Sequence, residues 1–156
     1  MKKLEMILIV GAVVGLLMTL FDLPLNSLIV SLFFLVLALL YIYLGFALFN
    51  NVRLRDIFKA ESFKGLGPWR IAIAIGTGVA LSTLTVAFMF SILGYPMAET
   101  ILIYGIVLAI LMIILALIKN AREKNPFYRN IIVRCLIFLI IAVVFLLLPA
   151  DLFGTP

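Results

Sequence analysis

The sequence predicts an all-α membrane protein with five transmembrane helices. Three observations predict it: five long apolar runs, a mean hydropathy of +1.37 with 67% hydrophobic residues, and basic residues confined to one side of the runs. Soluble domains typically contain about 45–50% apolar residues. Because each membrane helix takes about 20 residues, residues 1–156 are expected to form a single transmembrane bundle without a soluble domain.

The first two spans cover residues 4–21 and 25–49. Both runs are apolar on all sides, which is typical of membrane helices and not of amphipathic surface helices. Lys2 and Lys3 precede the first run, but no small-residue cleavage site follows it. We therefore expect a retained helix and not a removed signal peptide. Residues 22–24 are long enough only for a tight hairpin turn.

The remaining spans cover residues 71–93, 100–118 and 131–148. Residues 94–99 form a second tight hairpin, between the third and fourth spans. The longer connection at residues 50–70 is predicted to lie in the cytoplasm and to hold a short interfacial helix, because its apolar and basic residues can lie on opposite faces above anionic headgroups. The alternative for this loop is a docking site for a cytoplasmic partner.

All twelve Lys and Arg residues lie on the same side of the five spans. Asp22, Glu99 and Asp151 lie on the opposite side without a basic neighbour. Because Lys and Arg accumulate in cytoplasmic loops, we expect the amino terminus inside, the carboxyl terminus outside, and a location in the cell inner (plasma) membrane. The net charge of +5 is then explained by topology and anionic lipid, without nucleic acid.

Aligning Pro24 with Pro96 indicates an internal repeat. Residues 21–30 (FDLPLNSLIV) lie over residues 93–102 (LGYPMAETIL). Both prolines are expected in the first turn of the following helix, where the missing N–H would have no intrahelical partner. The two hairpins run in the same direction, so the repeat is parallel, as in some transporters. The alternative is that proline and aromatic residues merely favour membrane interfaces.

Small residues at four-residue spacing indicate close helix contacts, because helices in lipid associate through small side chains and hydroxyl hydrogen bonds. They occur in the first span and, in two rows, in the third. The predicted packing positions are Gly11, Gly15, Ala72, Gly76, Ala80, Gly78 and Ser82. We expect the first and third helices at the centre of the bundle. The fifth is expected to face lipid or a partner subunit.

Hydroxyl side chains make the third span unusually polar. Thr77, Ser82 and Thr83 form a candidate polar seam for a small substrate. The alternative is that these hydroxyls bond to the backbone carbonyl one turn earlier, as Ser and Thr in membrane helices usually do.

The chain offers few residues for catalysis. It has no His and a single Cys, Cys135, whereas zinc, haem and most acid–base sites use His or Cys. We expect no acidic residue well inside a span, no enzyme activity, no cofactor and no metal. One metal alternative is kept: Asp22, Glu99 and Asp151 could hold a cation if their connections converge, although such acids also suit the positive ends of helix dipoles.

Aromatic and basic residues beside the third and fifth spans are predicted to anchor them at the membrane interface. Arg134 lies one turn inside the fifth span, and its long stem is expected to extend to the headgroups. The predicted interfacial anchors are Trp69, Arg70, Phe127, Tyr128, Arg129 and Arg134.

The two hairpin tips carry a family resemblance. The strings LFDLP at residues 20–24 and ILGYPMAETILIYG at residues 92–105 resemble the amino-terminal two-helix hairpin of the gliding-motility, type IX secretion motor membrane subunit of Bacteroidota and its uncharacterised small relatives. The family has basic and histidine residues before the proline where this chain has residues 22–23 and 94–95, and its intramembrane glutamate has no match in the second or fourth span. The resemblance implies a related hairpin scaffold and does not carry over motor activity.

These patterns together predict an integral membrane structural or accessory subunit of a larger complex, acting through helix–helix packing. Its expected partners are the lipid bilayer, including anionic lipid, and other membrane subunits or further copies of the chain. The alternative function is a small transporter or channel built from the duplicated hairpin. The two functions differ in whether the isolated protein moves a solute across a liposome membrane.

Overall fold

Five α-helices make up the part of the chain that the computed structural model describes, residues 2–50 and 67–148. Each helix is long and apolar enough to cross a membrane, which confirms the prediction of an all-helical, multi-pass membrane protein. The helices are α1 (Lys2–Leu20), α2 (Asn26–Phe49), α3 (Pro68–Ile92), α4 (Ala98–Glu123) and α5 (Pro126–Leu147). The predicted interfacial helix falls on residues 51–66 and lies outside the described residues.

Helices α4 and α5 extend towards each other beyond their predicted spans. Lys119 ends the apolar run of α4 but not its helix, since Lys119 Nζ lies 3.5 Å from Oε1 of Glu123, and an ion pair at this spacing supports a helix. Asn125 caps α5, because its side-chain oxygen accepts a hydrogen bond from the Phe127 N–H at 3.0 Å. Pro126 then occupies the first helical position, where proline is favourable.

The two hairpin turns end α1 and α3 with the same hydrogen-bond pattern. The Leu23 N–H donates to the Met18 carbonyl at 2.9 Å, and the Asp22 N–H donates to the Thr19 carbonyl at 3.2 Å. This pair of bonds forms a Schellman cap, in which one residue takes a left-handed conformation. That residue is Asp22, with φ of 49°.

The second turn repeats this geometry at the end of α3. The Tyr95 N–H donates to the Phe90 carbonyl at 2.9 Å, and the Gly94 N–H donates to the Ser91 carbonyl at 3.4 Å. Gly94 has a φ of 65°. Glycine adopts this conformation without the steric cost that a side chain brings.

Helices α2 and α4 begin after the prolines, at Asn26 and Ala98. The residues between each proline and its helix, Leu25 and Met97, have φ of 67° and 68°. The expectation that Pro24 and Pro96 occupy the first turn of these helices is therefore wrong. A left-handed residue after each proline changes the direction of the chain before the helix starts.

Helix α3 lies at the centre, where it contacts α2, α4 and α5, whereas α1 packs mainly against α2 at the edge. The expectation that α1 is central is therefore wrong. Its small residues face one neighbour: a Cβ on Gly15 would lie 3.2 Å from the backbone nitrogen of Val30, and a Cβ on Gly11 would contact the ring of Phe33. Small residues thus let α1 approach α2 closely, although α1 is not surrounded by other helices.

Neighbouring helices run in opposite directions, so that basic side chains gather at one end. At the end of α2, the Asn50 side-chain oxygen accepts a hydrogen bond from Nε of Arg70, at the start of α3, at 2.9 Å. Near the end of α4, Lys119 Nζ lies 5.2 Å from the ring centroid of Trp69. We call this end, where α1, α3 and α5 begin, the basic end, and the end with the two hairpin turns the hairpin end.

Candidate functional site

Glu5 of α1 lies inside the bundle, well short of the end of α2. Glu5, in the first turn of α1, is hydrogen-bonded to Tyr41, while α2 continues from Tyr41 to Phe49. At 1.5 Å per residue, this part of α2 extends about 12 Å beyond the Glu5 contact. Only 5% of the surface of Glu5 is exposed. An unpaired carboxylate at such a position inside a membrane bundle would be costly.

Glu5 forms an ion pair with Arg134 of α5. Nη2 of Arg134 donates to Oε2 of Glu5 at 3.0 Å, and Nη1 donates to Oε1. Two parallel hydrogen bonds of this kind are the strongest arrangement for a guanidinium and a carboxylate. The hydroxyl of Tyr41 donates a third hydrogen bond to Oε1 at 3.0 Å. The three side chains therefore connect α1, α2 and α5 at one point.

Aromatic rings surround this ion pair. The ring centroid of Phe49 lies 5.6 Å from Cζ of Arg134, within the distance at which a ring attracts a cation. The ring of Tyr41 packs edge-on against Phe138, with centroids 5.6 Å apart and an interplanar angle of 84°. Hydrogen bonds in such a low-dielectric environment are stronger than in water.

A cleft between α1 and α5 extends from the ion pair towards the hairpin end. Its part beside Glu5 and Arg134 has a volume of about 420 Å³, and its deeper part has a volume of about 330 Å³. Ile9, Ile137 and Phe138 line both parts, so the two parts are adjacent along α5. The deeper part is lined by apolar side chains apart from one threonine.

A second cavity, which we call the basic pocket, lies at the basic end between the last turn of α2 and the first turns of α5. Its volume is about 440 Å³, and it is lined by Leu48, Phe49 and residues of α5 that include Arg129, Asn130 and Arg134. Arg134 therefore borders both the basic pocket and the cleft. No described residue of α1 lines the pocket.

Known proteins offer no relative to compare with this site. No family model, curated protein or solved structure matches the chain. The resemblance to the motor-subunit hairpin therefore stays a prediction. What this site can do follows from its own geometry.

Sequence analysis missed Glu5 and Tyr41 and assigned Arg134 no partner. A signal for the ion pair was present, because Glu5 lies within the first predicted span and Arg134 within the fifth, both near the basic end. Opposite charges inside two spans at one membrane side are expected to pair, since each alone is costly in lipid. Tyr41 had no such signal, because its contact depends on the register between α1 and α2.

Among the predicted packing positions, Gly78 makes the tightest contact between backbones. A Cβ at Gly78 would lie 2.5 Å from the carbonyl oxygen of Tyr41 and 3.7 Å from Cα of Gly45. The backbones of α2 and α3 therefore touch directly behind the tyrosine that bonds Glu5. This contact holds the backbone of Tyr41 against α3.

The other predicted packing positions occupy four kinds of surroundings. Gly11 and Gly15 face α2, and Gly76 faces the side chain of Met112 on α4. Ala80 and Ser82 are buried, whereas Ala72 is exposed.

Hydroxyls of the candidate polar seam bond within their own helix. Thr77 Oγ1 donates to the Ile73 carbonyl at 2.7 Å, and Thr83 Oγ1 donates to the Val79 carbonyl at 2.9 Å. Ser82 is buried. The bonds of Thr77 and Thr83 to the carbonyl one turn earlier agree with the alternative interpretation, in which these hydroxyls bond to their own helix and not to a substrate.

Two predicted interfacial anchors are core residues. Phe127 and Tyr128 are buried; Cζ of Arg70 lies 4.5 Å from the Phe127 ring centroid, and the Tyr128 hydroxyl donates to Oε2 of Glu123 at 3.1 Å. They differ from exposed anchors because the short connection from α4 folds the first turn of α5 onto neighbouring helices. The exposed anchors are Trp69 and Arg129.

Two of the acids kept as an alternative cation site are exposed. Asp22 lies in the first hairpin turn and Glu99 in the first turn of α4, and Asp151 lies outside the described residues. Within residues 2–50 and 67–148, no group of three His, Cys, Asp or Glu side chains could hold a metal ion.

Proposed function

We propose that this chain is a structural or accessory subunit of a larger membrane complex, acting through helix–helix packing and without catalysis of its own. The observation that carries this proposal is that polar groups inside the spans are bonded to one another. Glu5, Tyr41 and Arg134 form one cluster, and every buried side-chain nitrogen and oxygen among the described residues has a hydrogen-bond partner. A bundle whose buried polar groups are hydrogen-bonded internally presents apolar outer faces, and membrane helices associate through such faces by packing.

Helix α5 offers a candidate face for such a partner. A stripe of exposed apolar side chains runs along it at alternating spacings of three and four residues. The stripe consists of Val133, Leu136, Ile140, Val143 and Leu147. This is the spacing at which one helix packs along another, and it supports a partner helix lying against α5.

Co-purification tests the subunit role. The natively expressed, tagged chain would be solubilised in a gentle detergent, passed over two successive columns and analysed by mass spectrometry and sizing. We expect stoichiometric recovery of other membrane subunits, reduced by Ile140→Trp on the α5 stripe and unchanged by Ile103→Trp on an exposed face of α4. Recovery of the chain alone, as a defined homo-oligomer, would contradict the subunit role.

The proposed orientation places the basic end in the cytoplasm and the chain in a cell inner membrane. The support is the excess of Lys and Arg at that end, which in multi-pass proteins marks the cytoplasmic side. A reporter fused after Pro156 is expected to be active only outside the cytoplasm. Activity restricted to the cytoplasm would contradict this orientation.

The second candidate is a small transporter or channel built from a duplicated hairpin. Two observations favour it: Asp22 and Gly94 occupy equivalent left-handed positions, and Thr19 and Ser91 each bond to the carbonyl one turn earlier, all at the same sequence offset. Parallel repeats occur in some transporters, and ionisable groups inside a membrane are candidates for ion pathways. Flux of an ion or solute through the isolated protein in liposomes, lost in Glu5→Gln, would favour this function.

A further inference from the structure

We propose that the basic pocket and the cleft together bind one anionic glycerophospholipid, with its phosphate at Arg129 and Arg134 and one acyl chain in the cleft between α1 and α5. Both cavities belong to the same chain, and Arg134 lines both. The inference does not depend on the subunit role, because it concerns only the surface of the isolated bundle.

The basic pocket has the charge that an anionic headgroup needs. Arg129 is exposed and, among the described residues, has no ion-pair partner. The two acidic side chains described at this end are already engaged, Glu5 with Arg134 and Glu123 with Lys119. Among the described residues, an excess of positive charge therefore remains at the pocket. Basic pockets between membrane helices bind the headgroups of anionic lipids.

Hydrogen-bond donors in the pocket suit a phosphate. Asn130, beside Arg129, adds a side-chain amide to the lining. The guanidinium of Arg134 carries further N–H groups beyond the two that bond Glu5. Guanidinium groups match the geometry of phosphate oxygens. Arg134 can therefore keep its ion pair and still contact a phosphate in the pocket.

The depth of the two cavities matches the two parts of a lipid. The basic pocket lies where α2 ends and α5 begins, at the level expected for headgroups. The cleft runs deeper along α5 from Arg134 to Phe145, about 16 Å at the helical rise, and its walls there are apolar. Polar contacts at the membrane surface followed by apolar contacts in the core are those that a phospholipid makes.

The width of the cleft favours an acyl chain over a protein helix. Glu5 and Arg134 touch across its mouth, so α1 and α5 are only two side chains apart there. A helix with its side chains is about 10 Å wide and cannot lie between α1 and α5 at this level without breaking this ion pair. An acyl chain has no side chains and can lie between Ile9 and Phe138, which line both parts of the cleft.

Native mass spectrometry of the purified full chain tests the headgroup contact. The detergent-solubilised protein would be mixed with equal amounts of phosphatidylglycerol and phosphatidylcholine that carry identical acyl chains. We expect one retained phosphatidylglycerol, and we expect Arg129→Gln to lower the preference over phosphatidylcholine about fivefold. The matched control is Arg122→Gln, an exposed arginine near the end of α4 that lines neither cavity, which should leave the preference unchanged.

Two tryptophan variants test the acyl-chain contact. Ile141 lines the deeper part of the cleft, so Ile141→Trp should fill it and reduce the retention of both lipids. Ile140 is exposed and lines neither part of the cleft, so Ile140→Trp should retain lipid like the unmodified chain. Unchanged elution volume and helical circular dichroism would show that each variant is folded.

Several results would overturn the lipid site. Equal retention of the two lipids would remove the headgroup contact, as would an equal loss of preference in Arg122→Gln and Arg129→Gln. Full lipid retention by folded Ile141→Trp would exclude the cleft. A homodimer that Ile141→Trp dissociates would instead assign the cleft to a second copy. None of these outcomes bears on co-purification, which Ile140→Trp probes separately.

Discussion

Glu5 in the first turn of α1 and Arg134 in α5, separated by 129 positions in the sequence, form a bidentate ion pair. The pair joins two helices that are otherwise divided by a cleft. The hydroxyl of Tyr41 on α2 completes the coordination of the carboxylate. The edge helix α1 is thereby attached to the bundle at its basic end by charge, and to α2 along its length by small-residue packing.

Removing the negative charge of Glu5 should destabilise the protein. We expect Glu5→Gln to lower the free energy of unfolding by about 3 kcal/mol, because Arg134, whose side chain is only 26% exposed, would lose its counter-charge. Reversible unfolding in mixed micelles measures this change. As a control, Lys119→Gln breaks a more exposed ion pair within α4 and a contact with the Trp69 ring, and it should cost less, about 1 kcal/mol. Equal losses of unfolding free energy in the two variants would contradict a stabilising role of the ion pair between Glu5 and Arg134.

The hydroxyl of Tyr41 should contribute separately from its ring. Tyr41→Phe removes the hydrogen bond to Glu5 and keeps the ring packed against Phe138, so we expect a loss of about 1.5–3 kcal/mol, the range for a bond to a charged group. Tyr43→Phe is the matched control, since Tyr43 is 76% exposed, and it should change the unfolding free energy little. Thermal unfolding of both variants in the same detergent compares them. A smaller loss in Tyr41→Phe than in Tyr43→Phe would be inconsistent with the observed bond.

Two glycine variants in α3 should differ because their neighbours differ. A Cβ at Gly78 meets the backbone carbonyl of Tyr41, whereas a Cβ at Gly76 meets the flexible side chain of Met112. Backbone cannot move aside without separating the helices, so Gly78→Ala should cost about 1–3 kcal/mol. Gly76→Ala should cost less, because Met112 can take another rotamer. The unfolding midpoints of the two variants decide the order, and the reverse order would argue against direct contact of α2 with α3.

Substitutions at equivalent positions of the two hairpin turns should have opposite effects on the stability of the protein. Asp22 and Gly94 both have left-handed φ, 49° and 65°, a conformation that costs a residue with a side chain about 1–2 kcal/mol. Gly94→Ala should therefore destabilise the protein, and Asp22→Gly should stabilise it. Differential scanning fluorimetry of both variants would show melting temperatures shifted in opposite directions. Shifts of the same sign would mean that the two turns are not equivalent in energy.

The helical fold was predictable because a segment that crosses the lipid bilayer must be a long, continuous apolar helix, and the lengths of the apolar runs in the sequence show where these helices lie. Runs such as residues 25–49 correspond closely to α2, Asn26–Phe49. Helix ends were less predictable where charge and helix do not end together, as at Lys119, because a charged residue leaves the membrane without breaking the helix. The position of α1 also could not be read from Gly11 and Gly15, since small residues show that a helix is approached closely but not by how many neighbours.

The candidate site was only partly predictable. Arg134 stood out as a charge inside a span, but its expected contact was with headgroups, because a long side chain at that position can reach them. The pairing with Glu5 depends on the register of α1 against α5, and the contact with Tyr41 depends on the register between α1 and α2. Both are properties of helix register, which apolar sequences specify weakly along the helix axis.

A double-mutant cycle on Glu5 and Arg134 tests the central structural claim most directly. The unfolding free energies of the unmodified chain, Glu5→Gln, Arg134→Gln and the double variant, measured under identical micelle conditions, yield the coupling between the two residues. We predict a coupling of about 2 kcal/mol or more, with the double variant more stable than the sum of the single losses implies, because removing both charges leaves neither unpaired. Additive losses, with a coupling near zero, would contradict an ion pair between α1 and α5.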